Sequence, residues 1–157
     1  MLRVGLLSDT HGLLRPQVVE FLMGSHHIVH AGDICDPRIL DQLSAIAPVT
    51  AVRGNNDRGA WAESLCATER VELGGMVLYV IHDLAELAID PTAAGVHVVV
   101  SGHSHQPRIE QKGAVLYVNP GSPGPRRFKL PIAAAELHIH AGKVTARAVE
   151  FQPGAMS

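Results

Sequence analysis

The sequence predicts an α/β fold, a sandwich of two β-sheets with helices outside. Three observations predict it. The first half alternates apolar strand-like runs with segments of helical spacing. The second half is dominated by strand-like runs paired across glycine turns. No internal repeat, low-complexity tract or linker interrupts the chain, so its 157 residues are expected to form one domain, 1–157, large enough to bury about two-thirds of the surface the unfolded chain exposes.

Leu2 to Leu7, apolar apart from Arg3, reads as a strand buried on both faces. Arg15 to Met23 has helical spacing, with Pro16 suited to the first turn and Gly24 able to end it. His27 to His30 reads as a second strand and Pro37 to Ile46 as a second helix capped by Asp36. Pro48 to Val52 is a third strand, which completes a β-α-β-α-β order suited to a parallel, right-handed unit. Thr68 to Leu73 and Met76 to Ile81 flank Gly74-Gly75 as a hairpin. A short helix is expected at Pro91 to Ala94, then a β-branched strand at Val96 to Val100. Ile109 to Lys112 and Ala114 to Val118 flank Gly113, and Ile132 to His140 and Lys143 to Phe151 turn at Ala141-Gly142. The second half is therefore expected to be mainly antiparallel.

Composition narrows the function classes. A formal net charge of −2 with 4% aromatic residues offers no field or stacking platform for extended nucleic acid. No apolar run approaches the ~18 residues of a spanning helix, and the short run before Asp9 is too brief for a signal segment. A cytoplasmic, reducing location is the expectation, with no membrane partner. Cys35 and Cys66 lack metal-type pair spacing and are expected to be small buried apolar residues. The unusual number is ten histidines, the commonest metal-ligand side chain.

Five strands stop at small-residue loops that carry chemistry. "SDTHG" supplies Asp9 and His11, "HAGD" supplies Asp33, and "RGNND" supplies Asn55. His82 ends the Met76–Ile81 strand, and "SGHSHQ" supplies His103 and His105. The C-terminal ends of parallel strands share one rim, where α/β folds place their ligand sites. Two carboxylates, four imidazoles and one carboxamide are too rich in nitrogen for calcium or magnesium and suit Mn, Fe, Zn, Co or Ni. Seven donors exceed one ion's need, so two divalent ions sharing a carboxylate fit better. Such a pair, roughly 3.5–4 Å apart, clamps both oxygens of an in-line phosphoryl displacement and acidifies a bridging hydroxide nucleophile.

Together D-x-H (Asp9, His11), G-D (Gly32, Asp33), G-N-x-D (Gly54, Asn55, Asp57), the lone His82 and G-H-x-H (Gly102, His103, His105) resemble the calcineurin-like metallophosphoesterases. The short length and "NPGSPGPR", Asn119 to Arg126, are similar to the small YfcE-type phosphodiesterase branch. The resemblance implies a four-layered α/β/β/α sandwich, two mixed β-sheets flanked by helices. It also implies that Asp9, His11 and His105 hold one ion, that Asn55, His82 and His103 hold the other, and that Asp33 bridges them. Family members hydrolyse phosphodiesters, sometimes monoesters, and are commonly assayed with Mn²⁺.

Other residues flank this set. Asn56 stands where many relatives have a proton-donating His; a carboxamide has no proton to give but can bond a phosphoryl oxygen. Asn56 and Asp57 are therefore catalytic candidates, although Asp57 suits bracing the loop better. Asn56, Arg53 and Arg126 are candidate substrate contacts, with Arg58 and Arg127 in competition. Asp83 suits either a partner for a ligand or a helix cap, and His30 could bond a ligand from behind. His138 and His140 share a strand face without a D-x-H type carboxylate and are expected at the surface. The expected function is phosphodiester hydrolysis of a small phosphoester by a dinuclear centre, by a chain able to form a homo-oligomer. The alternatives are a phosphomonoesterase on the same site, or a non-catalytic scaffold like the retromer subunit that resembles this fold.

Overall fold

The apolar run at Leu2–Leu7 forms strand β1, and its alternate residues point to two different cores. Val4 and Leu6 enter the core between the sheets, while Leu7 packs toward the helices. That double burial explains why the buried part of the run, Val4 to Leu7, is apolar without alternation. The structure is a computed structural model and describes residues 1–127 and 129–153. Phe128 and residues 154–157, which the expected single domain takes in, lie outside the described residues.

The first sheet has the order β10-β9-β1-β2-β3, with β2 at His27–His30, β3 at Val49–Ala51, β9 at Ile132–His140 and β10 at Lys143–Phe151. β1, β2 and β3 are parallel, and β9 pairs antiparallel with both β1 and β10. Helices α1 (Pro16–Leu22) and α2 (Pro37–Ser44) place Val18, Leu22, Ile39 and Leu43 against Leu7 and Ile28 on the outer face. Each of these buried side chains contributes about 1.5–3 kcal/mol of transfer free energy. The Asp36 side chain accepts from Arg38 N at 2.9 Å and caps α2 as expected. A short α3, Ala60–Glu63, follows the "RGNND" loop and has no counterpart in the sequence reading.

The second sheet has the order β4-β5-β6-β8-β7, with β4 at Thr68–Leu73, β5 at Met76–Ile81, β6 at Val98–Val100, β7 at Arg108–Lys112 and β8 at Val115–Asn119. The hairpins at Gly74-Gly75 and Gly113 form, but β5, β6 and β8 run parallel, so this sheet is mixed, as the family resemblance implies, rather than mainly antiparallel as its glycine turns suggest. The long connection Asp83–His97 carries the chain back across the sheet, which a parallel pair requires. Pro91 to Gly95 is a hydrogen-bonded turn and not the expected helix: Asp90 Oδ1 accepts from Thr92 N at 3.1 Å, and the turn ends after one round. Outside this sheet the fourth layer is thin. A 3₁₀ turn at Leu84–Glu86 and the connection after it lay Leu87, Ile89 and Ala94 over Val77, Val99 and Tyr117. Between the sheets, Leu78, Val80, Val98, Val100, Leu116 and Val118 meet Val4, Leu6, Val29 and Leu137.

Both cysteines are exposed, which corrects the expectation of buried apolar thiols. Cys35 sits in a loop at φ 66°, outside either sheet's core. His138 is partly exposed and meets Glu136 Oε1 at 2.8 Å, so it does have a carboxylate neighbour two residues back. Burial works against ionisation of Glu136, but Arg3, His138 and Arg147 around it hold its pKa down to about 2. This cluster ties β1, β9 and β10 together.

Candidate metal centre

The parallel strands of both sheets end on the same rim, and their loops converge there. Asp9 follows β1, Asp33 follows β2, Asn55 follows β3, His82 follows β5, and His103 and His105 follow β6. Asp9, His11, Asp33, His103 and His105 all lie in the left-handed region, with φ between 45° and 73°. Non-glycine residues seldom adopt it, and strain of this kind collects where function fixes a side chain's direction. Sequence patterns carry no signal for it.

Two donor groups face each other. In the first, His11 Nε2 lies 3.2 Å from His105 Nε2, and Asp9 Oδ1 lies 3.4 Å from His105 Nε2 and 3.7 Å from His11 Nε2. In the second, Asn55 Oδ1 lies 3.0 Å from His82 Nε2 and 3.3 Å from His103 Nδ1. Asp33 Oδ2 reaches both, 3.6 Å from His11 Nε2 and 3.4 Å from His82 Nε2. The ligand atoms of Asp9, Asp33 and His82 also lie within 4.8 Å of one another. Both {Asp9, His11, His105} and {Asp9, Asp33, His82} could thus hold a metal ion.

The donor chemistry fits cations. Asp9 Oδ1 is fully buried and has no hydrogen-bond partner among the described residues, an orphaned acceptor that folding would otherwise penalise. His82 Nδ1 meets the Ala31 carbonyl oxygen at 2.7 Å, and donating a proton there leaves a lone pair on Nε2 pointed at the Asn55 oxygen. Two acceptors at that distance repel unless a cation, or a proton, lies between them. Bonds of about 2.0–2.2 Å to nitrogen and oxygen put neighbouring ligand atoms about 3.0–3.6 Å apart, and the donor atoms of each group here lie 3.0–3.7 Å apart.

Electrostatics point the same way. Burial opposes ionisation of Asp9, but His105, His11, Ser8 and His82 hold its carboxyl well below the usual range. Burial likewise opposes ionisation of Asp33, and His82 and Asn56 outweigh it. Burial disfavours a charged His82, yet the Asp33 and Asp9 carboxylates raise its pKa to about 9. A proton thus concentrates where a metal ion would compensate the same two carboxylates.

The loops leave no spare room. A Cβ on Gly54 would land on Asp33 N and Oδ1, and one on Gly102 would land on Ser8 Oγ and 2.6 Å from Asp9 Oδ2. Asn56 grips Asp33 twice, its backbone N–H to Oδ1 at 2.8 Å and its side-chain amide to Oδ2 at 2.9 Å. The Asp57 carboxylate is buried and accepts three amides: Asp33 N at 2.9 Å, Gly54 N at 2.8 Å and Cys35 N at 2.8 Å. Asp83 does both things its position allows, capping the 3₁₀ turn through Ala85 N at 3.0 Å and facing His103 Nε2 at 3.8 Å. Arg53 donates to Leu65 O and Arg126 to Leu130 O, both from exposed positions.

Several supporting residues escaped the sequence reading. Ser8 Oγ donates to Asp9 Oδ2 at 2.6 Å, and Ser122 Oγ donates to Asp9 O at 2.7 Å. Buried Arg15 donates to Pro123 O and Gly124 O, pinning the "NPGSPGPR" turn beside the centre. Cys35 Sγ lies 3.7 Å from His11 Nδ1. His30, expected from the sequence behind a ligand, is fully buried with Nε2 3.0 Å from Thr10 Oγ1 and Nδ1 accepting from Gly32 N at 3.1 Å, so it joins the loops of Asp9 and Asp33 rather than bonding a ligand side chain.

Burial pushes the pKa of His30 down to about 3 against the pull of Asp9. Between about 3 and 6.5 the unfolded chain therefore binds more protons there than the native state. The contribution of neutral His30 is complete above about 6.5 and is lost as pH falls toward about 3. A His30→Gln variant is expected to lose stability less steeply across that window, as read by urea titration at several pH values.

With this geometry in place, the chain's relatives can be identified. A profile of the calcineurin-like phosphoesterase superfamily domain matches residues 2–142, and the chain belongs to that superfamily. A probable metallophosphoesterase of Methanocaldococcus jannaschii is 35% identical over 133 residues, 76% of this chain and 67% of its own. Another, of Methanothermobacter thermautotrophicus, is 33% identical over 139 residues, 82% of this chain and 81% of its own. Among solved structures, the phosphoesterase YfcE of E. coli is 25% identical with a TM-score of 0.68, covering 87% of this chain and 88% of its own. An archaeal phosphodiesterase has a TM-score of 0.78 at 20% identity over 94% of this chain and 100% of its own. Wild-type Vps29 of Entamoeba histolytica, complexed with zinc, has a TM-score of 0.74 at 22% identity over 96% of this chain and 100% of its own. No helix among the described residues is long and apolar enough to cross a membrane.

Proposed function

We propose that this protein is a dinuclear metal-dependent phosphodiesterase acting on small phosphoesters. The observation that carries the reading is the pair of donor groups joined by Asp33, with the buried, unpartnered Asp9 Oδ1 on the same wall. Asp9, His11 and His105 would hold one divalent ion, Asn55, His82 and His103 the other, and Asp33 both. Mn²⁺ is the favoured metal, with Fe, Zn, Ni and Co as alternatives of the same donor preference. Ions bound there supply Lewis acidity for the phosphoryl oxygens and make a water nucleophilic near neutral pH.

The chain's own residues do the positioning. Asn56 and Asp57 fix the direction of the Asp33 carboxylate from opposite sides, Asn56 at its oxygens and Asp57 through the backbone. With its amide engaged by Asp33, Asn56 serves the reaction through that carboxylate. Substrate contact by Arg53 or Arg126 would require either exposed side chain to leave a carbonyl for a phosphate oxygen.

The Vps29 likeness keeps a scaffold role as the second reading. A scaffold does not need a full donor set, and here all seven donors are present and converge. Protein purified without chelator is expected to contain close to two transition-metal ions per chain by elemental analysis. It should hydrolyse activated aryl phosphodiesters faster on addition of Mn²⁺. Metal-free protein that also failed to bind Mn²⁺ would sink the reading.

A further inference from the structure

Beyond His103, away from the ion-binding groups, lies a cavity of about 470 Å³ over the outer face of the second sheet. Its lining includes Gly102 and His103 of the candidate metal centre, so the two spaces adjoin. His103 is the wall between them: its Nδ1 faces Asn55, and its Nε2 faces Asp83 on the cavity's rim. A phosphoryl group alone fills a small part of this volume, which lies in the range of sites that enclose an organic ligand.

The lining says what kind of group would fit. Tyr117 and Leu84 supply an aromatic ring and an aliphatic side chain. Two cations, Arg108 and Lys112, are matched by two anions, Asp83 and Glu110, and Arg108 Nη2 meets Glu110 Oε2 at 2.6 Å. Lys112 Nζ lies 5.0 Å from the centroid of the Tyr117 ring, on an exposed and flexible stem that can fold aside. A balanced set of charges does not favour a second phosphate. A flat ring with hydrogen-bonding edges could instead stack on Tyr117 and bond Gln106 at the margin.

We propose that this cavity receives the non-leaving organic group of a phosphodiester, and that the group is an uncharged ring-bearing alcohol of nucleoside size. The proposal rests on the phosphodiesterase reading above and adds its substrate class. The reaction adds water across one P–O bond: the leaving alcohol departs as its anion or takes a proton, and the cavity-bound group stays on phosphorus as a monoester.

Two substrates with one leaving group test it. Methyl p-nitrophenyl phosphate and thymidine 5′-(p-nitrophenyl phosphate) both release p-nitrophenolate, so they differ only in the group assigned to the cavity. With Mn²⁺ supplied, kcat/KM for the thymidine ester is expected to exceed that for the methyl ester at least about tenfold. Tyr117→Ala should bring the ratio close to one, and Tyr117→Phe should keep it. Leu84→Arg, a change at an exposed position that crowds the cavity mouth, should also collapse the ratio should Tyr117→Ala fail to fold. Hydrolysis of both esters at equal efficiency, or a ratio indifferent to Tyr117→Ala and Leu84→Arg, would overturn the cavity assignment while leaving the phosphodiesterase reading intact. Hydrolysis of neither ester would overturn both.

Discussion

Asp33→Asn is expected to lower kcat/KM on an activated aryl phosphodiester at least about a thousandfold, or about 4 kcal/mol of transition-state stabilisation. Asp33 Oδ2 stands between the two donor groups, 3.6 Å from His11 Nε2 and 3.4 Å from His82 Nε2, nearer to His82 than Asp9 Oδ1 is at 3.8 Å. Without its charge, two cations near each other would lose the anion that makes their proximity tolerable. Asn suits the test better than Ala because Asp33 sits at φ 57°, a conformation Asn tolerates and Ala does not. The metal-free variant should be less stable than the metal-free parent, since the Asp33 carboxylate accepts two hydrogen bonds from Asn56 and is held ionised by His82, and an amide cannot replace both contacts. What should disappear is the Mn²⁺-dependent rise in Tm, which in the parent follows the mass action of a ligand bound only by the native state. Thermal melts with and without Mn²⁺, alongside rates, check both halves. Wild-type turnover in Asp33→Asn would show the site to be misassigned.

The rim was legible in the sequence because the fold's logic is local there. Each donor follows an apolar strand within a few residues, so strand reading and residue chemistry together place Asp9, Asp33, Asn55, His82 and His103 on one edge. Other features depend on contacts between distant segments. That β5 and β6 run parallel follows from how Asp83–His97 crosses the sheet, and β8 joins them because β7 takes the edge beyond it; short strands paired by Gly turns announce neither. Arg15 is a helix-entry residue by sequence, yet it is buried against carbonyls more than a hundred positions away. Cys35 read as buried because free cysteine usually is, whereas the left-handed turn after Asp33 turns it outward beside His11. The turn at Pro91–Gly95 shows the opposite limit: Asp90 and Pro91 make a sound helix start, but Gly95 ends it before a second turn can form.

Asp57→Ala should have the largest effect on stability of any single change near the site, and it separates bracing from direct participation. The carboxylate is buried and takes three backbone N–H groups from three loop positions, Asp33, Cys35 and Gly54. Alanine leaves three donors unsatisfied, each costing about 1–3 kcal/mol, so a loss of about 3 kcal/mol or more is expected. For a chain of this size that lowers Tm by about 10 °C. Asp57→Asn should fall between, because an amide can accept from one side but turns N–H toward N–H on the other. Both variants should bind Mn²⁺ about 10–100-fold more weakly, since the loop that aims Asp33 is no longer held. Were Asp57 instead a direct acid or base, Asp57→Asn would keep the parent's Tm and Mn²⁺ affinity and lose only kcat. The hydrogen-bond geometry predicts the first pattern: every oxygen of Asp57 is already committed to the backbone beneath Asp33, so its influence on the reaction must travel through that carboxylate.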